Sequence, residues 1–226
     1  RKEVTGALND EQLRNLHERL VYLRNLEERK ETVLNSIEEQ GKLTPELKRR
    51  IDDCFDAVEL EDIYLPYRPK RRTRATIAKE RGLEPLADII WDQQNNDVKG
   101  RARTFINADV PTVDDAIAGA CDIIAERVSE DEKARNTVRR LFARDGVLSS
   151  KVVKGKEGDG IKYSDYYEWQ ENIARISSHR LLAIMRGEDE GYLRMSITID
   201  GEEVTGLLCR QFVKRFSPSR EFIEAA

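Results

Sequence analysis

The sequence predicts a mainly α-helical protein, an elongated multi-helix array with a helix-turn-helix-like element and a small β portion near residues 190–201. Apolar residues recur at helical spacing along most of the chain, with capping residues where that spacing begins or ends. Only Tyr192–Ile199 combines alternation with β-branched residues. We expect three regions: 1–60, a long helical pair; 61–148, a basic connector, the helix-turn-helix-like element and a helical bundle; and 149–226, a loop, helices and a short strand.

The first region is predicted to form an antiparallel pair of helices. One helix begins after a cap at Asn9 or Asp10 and runs to about Gln40, where Gly41 ends it. Its apolar stripe consists of Leu13, Leu16, Leu20 and Leu23. Thr44-Pro45-Glu46 then provides a cap, a first-turn proline and a first-turn acid for the second helix.

The second region should contain two pairs of helices. Ala75–Arg81 and Pro85–Trp91, joined by a turn at Gly82, are predicted to form the helix-turn-helix-like element. A longer amphipathic helix follows a cap at Thr112, and a further helix covers about Glu130–Arg144. The buried stripe of the longer helix is predicted to consist of Val113, Ile117, Ala120, Cys121, Ile124 and Val128.

The third region should begin with a glycine-rich, charged surface loop at Lys151–Gly160. Helix-compatible stretches follow at Asp165–Gln170 and Ser178–Met185. Tyr192–Ile199 is predicted to be a strand that turns at Asp200-Gly201.

Composition points to an intracellular binding protein and away from membranes. The 39 Lys and Arg residues against 43 Asp and Glu residues give a net charge of −4, so any electrostatic partner must meet a local patch. Three dispersed cysteines favour a reducing compartment, and no apolar run approaches the about 20 residues that span a bilayer. We expect a cytoplasmic location and no membrane partner.

The sequence offers little for catalysis. His17 and His179 have no ligand-spaced partners, and no nucleotide-binding or nucleophile motif is present, so we expect no catalytic residue, metal site or cofactor. A nuclease site on the acids at 52–62 is conceivable, but the apolar residues between them favour a solvated helix face.

The most distinctive segment is the basic stretch at 64–82, where seven basic residues and one acid give a net charge of +6. Its tyrosines could stack on bases while its cations hold phosphates. The predicted nucleic-acid-binding residues are Tyr64, Tyr67, Arg68, Lys70, Arg71, Arg72, Arg74 and Lys79. Alternatively, the six acids at 52–62 pair with this stretch inside the molecule, and the sequence leaves both possibilities open.

The stretch Tyr64–Arg74 and the following Gly82-Leu83-Glu84-Pro85-Leu86-Ala87 resemble the Tex family of bacterial transcription accessory proteins. Further similar stretches are Arg1–Gly6, Ser178–Ala183 and Arg186–Gly191. The resemblance implies a mostly helical, elongated N-terminal scaffold fragment that lacks the family's downstream YqgF, helix-hairpin-helix and S1 domains.

The resemblance and the basic stretch together imply a non-enzymatic region that contacts RNA or DNA weakly and without sequence specificity, with the transcription machinery as a possible partner. The alternative is a purely architectural region that packs on downstream domains or on the transcription machinery.

Overall fold

The computed structural model describes residue 6 and residues 8–69 and 72–226, and it confirms a mainly α-helical protein with a small sheet. The chain divides into two compact units, Arg1–Thr73 and Arg74–Ala226. The three-region division expected from the sequence remains a prediction.

The first unit contains three helices among its described residues: α1 (Asp10–Glu39), α2 (Pro45–Asp52) and α3 (Ala57–Tyr64), followed by a 3₁₀ turn at Leu65–Tyr67. The predicted caps are confirmed. The Asn9 side chain accepts from the Gln12 backbone, and the Gln12 side chain accepts from the Asn9 backbone. Gly41 follows α1 with φ +67°, a left-handed conformation that favours glycine.

The acidic stretch does not lie on one solvated helix face, contrary to the sequence-based interpretation. Helix α2 ends at Asp52, and Asp56 caps a separate helix by accepting from the backbone N–H groups of Val58 and Glu59. Phe55 was expected to be buried and Asp62 to be exposed. In the structure Phe55 is 62% exposed and Asp62 is only 2% exposed.

The core of the first unit begins one turn beyond the predicted leucine stripe. Leu13, Leu16 and Leu20 are 41%, 54% and 45% exposed, so that stripe is largely uncovered by the described residues. Helical spacing therefore located the helix but not its buried face. The buried apolar residues are Leu26, Val33, Ile37, Ile51, Cys54, Leu60, Ile63 and Tyr64.

The second unit combines a helical bundle with a small sheet. Its helices are α4 (Arg74–Glu80), α5 (Glu84–Asp92), α6 (Val98–Ala102), α7 (Val113–Glu130), α8 (Glu132–Asp145), α9 (Ser178–Asp189), α10 (Gly201–Phe212) and α11 (Arg220–Glu224). Its strands are β1 (Val147–Val152), β2 (Glu168–Asn172) and β3 (Leu193–Thr198). Short 3₁₀ turns lie at Arg103–Phe105 and Ile161–Tyr166.

Helix α7 is the centre of the bundle and contacts α4, α5, α6 and α11. As predicted, the Thr112 side chain caps it by accepting from the Asp115 backbone. Its fully buried residues are Ala116, Ala120, Ile123 and Ile124. Ile117 is only partly buried, so the buried face is rotated from the predicted stripe.

The sheet has the order β2-β1-β3 with both pairs antiparallel. The β3 strand confirms the predicted β portion, whereas Glu168–Asn172 is a strand where helix was expected through Gln170. Asp200-Gly201 does not turn a hairpin, because the Asp200 side chain caps α10 by accepting from the Glu202 backbone. No helix within the described ranges is both long enough and apolar enough to cross a membrane.

Candidate nucleic-acid interface

The predicted binding residues are divided between the two units. Tyr64, Tyr67, Arg68 and Arg72 belong to the first unit, and Arg74 and Lys79 belong to the second. Lys70 and Arg71 lie outside the described residues.

Tyr64 is packed inside the first unit. It is 7% exposed, and its Oη lies 2.9 Å from the Ser36 Oγ, so the two hydroxyls share a hydrogen bond. The Arg29 guanidinium carbon lies 5.3 Å from the centre of its ring. Because burial and this cation occupy the ring, Tyr64 joins α1 to α3 and does not offer a face on which a base could stack.

The residues after α3 are more accessible. Tyr67 is partly buried, and the Gln40 Nε2 donates to its backbone carbonyl at 2.8 Å, which fixes the backbone beside it. Arg68 and Arg72 are exposed, although Arg72 also interacts with other residues of the protein. The first unit thus presents guanidinium groups to solvent beside a half-covered ring.

In the second unit, the basic residues of α4 face two carboxylates on α7. Lys79 Nζ lies 2.7 Å from Glu126 Oε2, and Arg74 Nε lies 3.4 Å from Asp122 Oδ1. Glu126 is 11% exposed in its side chain and Arg74 is 86% exposed. The Lys79 pair therefore ties α4 to α7, while Arg74 keeps most of its surface in water.

Internal pairing thus occurs, and the described partners of Arg74 and Lys79 lie outside the acidic stretch at 52–62. Within that stretch, Glu61 forms a two-point pair with Arg29, with N–O distances of 2.7 and 3.1 Å. The hydrogen bond to Glu61 raises the pKa of Arg29. Glu61 is therefore committed to α1.

A second basic surface lies in the second unit, where sequence reasoning had considered only apolar periodicity. A groove of about 620 Å³ separates α8 from Gln211 on α10. Its lining residues are Lys133, Asn136, Thr137, Arg139, Arg140 and Gln211. The sequence feature that could have indicated this surface is the presence of five basic residues among the fourteen residues of α8.

The described part of the chain contains two histidines, three cysteines and many carboxylates. No cluster of three or more His, Cys, Asp or Glu side chains is placed to hold a metal ion there. Burial raises the pKa of the Cys121 thiol to about 11, so this thiol stays protonated at neutral pH and is a poor nucleophile.

These features define a mainly helical, two-unit protein with exposed basic residues on each unit. The Tex central region-like family matches residues 93–222, and the Tex-like protein N-terminal domain matches residues 1–38. The chain belongs to the Tex family, as the sequence resemblance had indicated.

Several relatives extend this assignment. The chain is 47% identical over 197 residues to the transcriptional accessory protein Tex of Neisseria gonorrhoeae, covering 87% of this chain and 26% of that protein. It is 45% identical over 204 residues to the protein tex of Bordetella pertussis, covering 89% and 26%. It is 27% identical over 234 residues to the human S1 RNA-binding domain-containing protein 1, covering 98% and 23%. The chain therefore spans about a quarter of the length of these relatives.

Proposed function

We propose that this chain is a non-enzymatic region of a transcription accessory protein that binds nucleic acid weakly and without sequence specificity through its arginine-rich segment, residues 68–74. The observation that carries the proposal is the exposure of Arg68, Arg72 and Arg74 in a segment without any acid. The names of the gonococcal and human relatives, which refer to transcription and to RNA binding, support the same class of partner.

The charge of this segment fits a phosphate backbone. Five of its seven residues are basic, since Lys70 and Arg71 add to the three arginines. Guanidinium groups make charge-assisted, two-point hydrogen bonds to phosphates, which position a protein on nucleic acid but do not read its sequence. A role in transcription would place the chain in the cytoplasm of a bacterium.

Salt-dependent binding tests this proposal. We expect the triple variant Arg68→Glu, Arg72→Glu and Arg74→Glu to reduce the slope of log K against log salt by about three, because each lost phosphate contact removes about 0.9 from the slope on duplex DNA. The double variant Lys154→Glu and Lys156→Glu is a control, since these exposed loop lysines lie outside the segment. Unchanged affinity and slope in the triple variant would exclude this segment as the contact.

A purely architectural role is the second candidate, and specific contacts favour it. The Lys79–Glu126 pair and the Tyr64–Ser36 hydrogen bond each join two helices, which supports this role for part of the predicted site. If this role accounts for the whole segment, the triple variant should lose helical circular dichroism or cooperative unfolding, and the parent chain should not bind nucleic acid at low salt.

A further inference from the structure

Helix α8 carries a stripe of basic and hydroxyl side chains beside its buried face. Lys133, Thr137 and Arg140 follow one another at spacings of four and three residues, which places them on one side of the helix. The buried residues Ala134 and Leu141 lie about a quarter turn around the helix from this stripe. Lys133 and Arg140 are exposed and lie about 10 Å apart along the axis at about 1.5 Å per residue.

The groove beside this stripe is built from cations and neutral hydrogen-bonding groups. Asn136 organises it, because its Oδ1 accepts from Arg139 Nη1 at 3.0 Å and its backbone carbonyl accepts from Arg140 Nε at 3.3 Å. With its oxygens engaged, the Asn136 amide nitrogen is left to donate. On the far wall, Gln211 is held by a 3.2 Å hydrogen bond from Nε2 to Asp131 Oδ1.

The residues that line the groove favour a duplex over a single-stranded nucleic acid. Among the described residues that line it there is no carboxylate to repel an anion and no aromatic ring on which an unpaired base could stack. Proteins that prefer single strands combine basic grooves with stacking rings. Contacts to duplex phosphates come instead from Arg and Lys and from neutral amide and hydroxyl groups, as found here.

Arg144 does not belong to this surface, although it continues the stripe. Its guanidinium lies 2.5 Å from Asp145 and 2.9 Å from Glu203, so its charge is already matched within the protein. The basic groove is thereby limited to the Lys133–Arg140 section of α8. We name this section, together with Gln211, the α8 groove.

We infer that the α8 groove binds the sugar-phosphate backbone of a duplex nucleic acid, as a second contact surface separate from residues 68–74. The inference shares with the proposed function only the class of partner. Duplex DNA carries one charge per about 1.7 Å of axis with both strands counted, so the section between Lys133 and Arg140 spans a length of duplex that carries about six phosphates, of which it faces a part. Binding through it should be independent of base sequence.

The test measures binding of the full 226-residue chain to a fluorescein-labelled 20-base-pair DNA duplex and to one of its strands, by anisotropy over a salt series. We expect Lys133→Glu with Arg140→Glu to weaken duplex binding about tenfold at low salt and to reduce the salt slope by about two. Lys133→Gln with Arg140→Gln should give a smaller loss in the same direction. Circular dichroism checks that all variants stay helical.

The control Lys154→Glu with Lys156→Glu makes the same change in charge elsewhere on the unit. If the groove variant loses no more affinity than this control, or loses affinity only for the single strand, the inference is overturned. The arginine-segment variant separates the two proposals. Loss of duplex binding in the groove variant alone supports the α8 groove as the contact surface and excludes residues 68–74. Loss in the segment variant alone supports residues 68–74 and excludes the α8 groove.

Discussion

Both compact units have an apolar core, but they differ in how far buried polar side chains add to it. In the first unit, polar side chains span the helices: Lys30 Nζ donates to the Asp52 carbonyl at 2.8 Å, and Arg29 pairs with Glu61. In the second unit, apolar packing around α7 dominates, with Ile123 and Ile124 fully buried among the surrounding helices. Both units should therefore be sensitive to changes of core volume, and the first should in addition be sensitive to loss of single polar groups such as Lys30.

The largest effect is expected in the core of the second unit. Ile124→Ala should lower the free energy of unfolding by about 2–5 kcal/mol, because it removes buried methyl groups and leaves a cavity. Ile117→Ala should cost less, since Ile117 is only partly buried. Urea unfolding followed by circular dichroism measures both. Equal losses would contradict the difference in burial between the two positions, and a loss below about 0.5 kcal/mol at Ile124 would show that α7 is not the apolar centre of the bundle.

The sharpest test of the first unit is Lys30, which is 3% exposed. Lys30→Ala should cost about 1–3 kcal/mol, because the charged hydrogen bond to the Asp52 carbonyl is lost. Lys48→Ala, at an exposed position of α2, should change stability by less than about 0.5 kcal/mol. Thermal unfolding measures both variants. Comparable losses of stability at both positions would show that the buried Lys30 hydrogen bond does not stabilise this unit.

Alanine substitutions at two glycines within helices distinguish the cost of overpacking from the gain in helix propensity. A Cβ added at Gly119 of α7 would lie 2.4 Å from the buried Leu83 Cδ1, whereas one at Gly206 of α10 would meet nothing within 4 Å. Gly119→Ala should be destabilising by about 1 kcal/mol net, since overpacking outweighs the gain in propensity. Gly206→Ala should be stabilising by up to about 1 kcal/mol. Calorimetric melting of both variants shows whether the signs differ.

The smallest expected effect concerns the hydrogen bond between Ser36 and Tyr64. Ser36→Ala and Tyr64→Phe should each cost about 0.5–1.5 kcal/mol, and the double variant should cost less than their sum because both remove the same bond. Urea unfolding of the three variants gives the coupling. Full additivity would mean that the hydroxyls do not interact and that Tyr64 is held by packing alone.

Local signals in the sequence predicted the helices and their ends. Thr44, Thr112 and Gly41 each satisfy or terminate a helix through contacts with neighbouring residues, so their roles follow from sequence spacing. Burial depends on distant residues, and spacing therefore could not show that the leucine stripe at 13–20 is exposed. The same limit explains why β2, which pairs with β1 about twenty residues earlier, resembled a helix.

The candidate site was predicted in outline. The basic segment is evident in the sequence, but whether Tyr64 and Lys79 face solvent depends on Ser36, 28 residues away, and on Glu126, 47 residues away. The α8 groove was missed because its second wall, Gln211, comes from a helix whose position the sequence did not indicate. In the sequence, the basic residues of α8 match the usual pattern of a solvent-exposed helix face and do not indicate a groove.

The end of α5 has a consequence for synthesis of the chain. Gln93 adopts φ +59° and is buried, and its side chain bonds the backbone of Phe212 and Lys214 at 2.8 Å each. The 119 residues from Gln93 to Phe212 take about 6–24 s to translate at about 5–20 residues per second. Likewise, a nascent chain displays the apolar face of α7 from the time this helix emerges until its final cover, Ile223, follows. The second unit therefore completes its core only after its last helix leaves the ribosome.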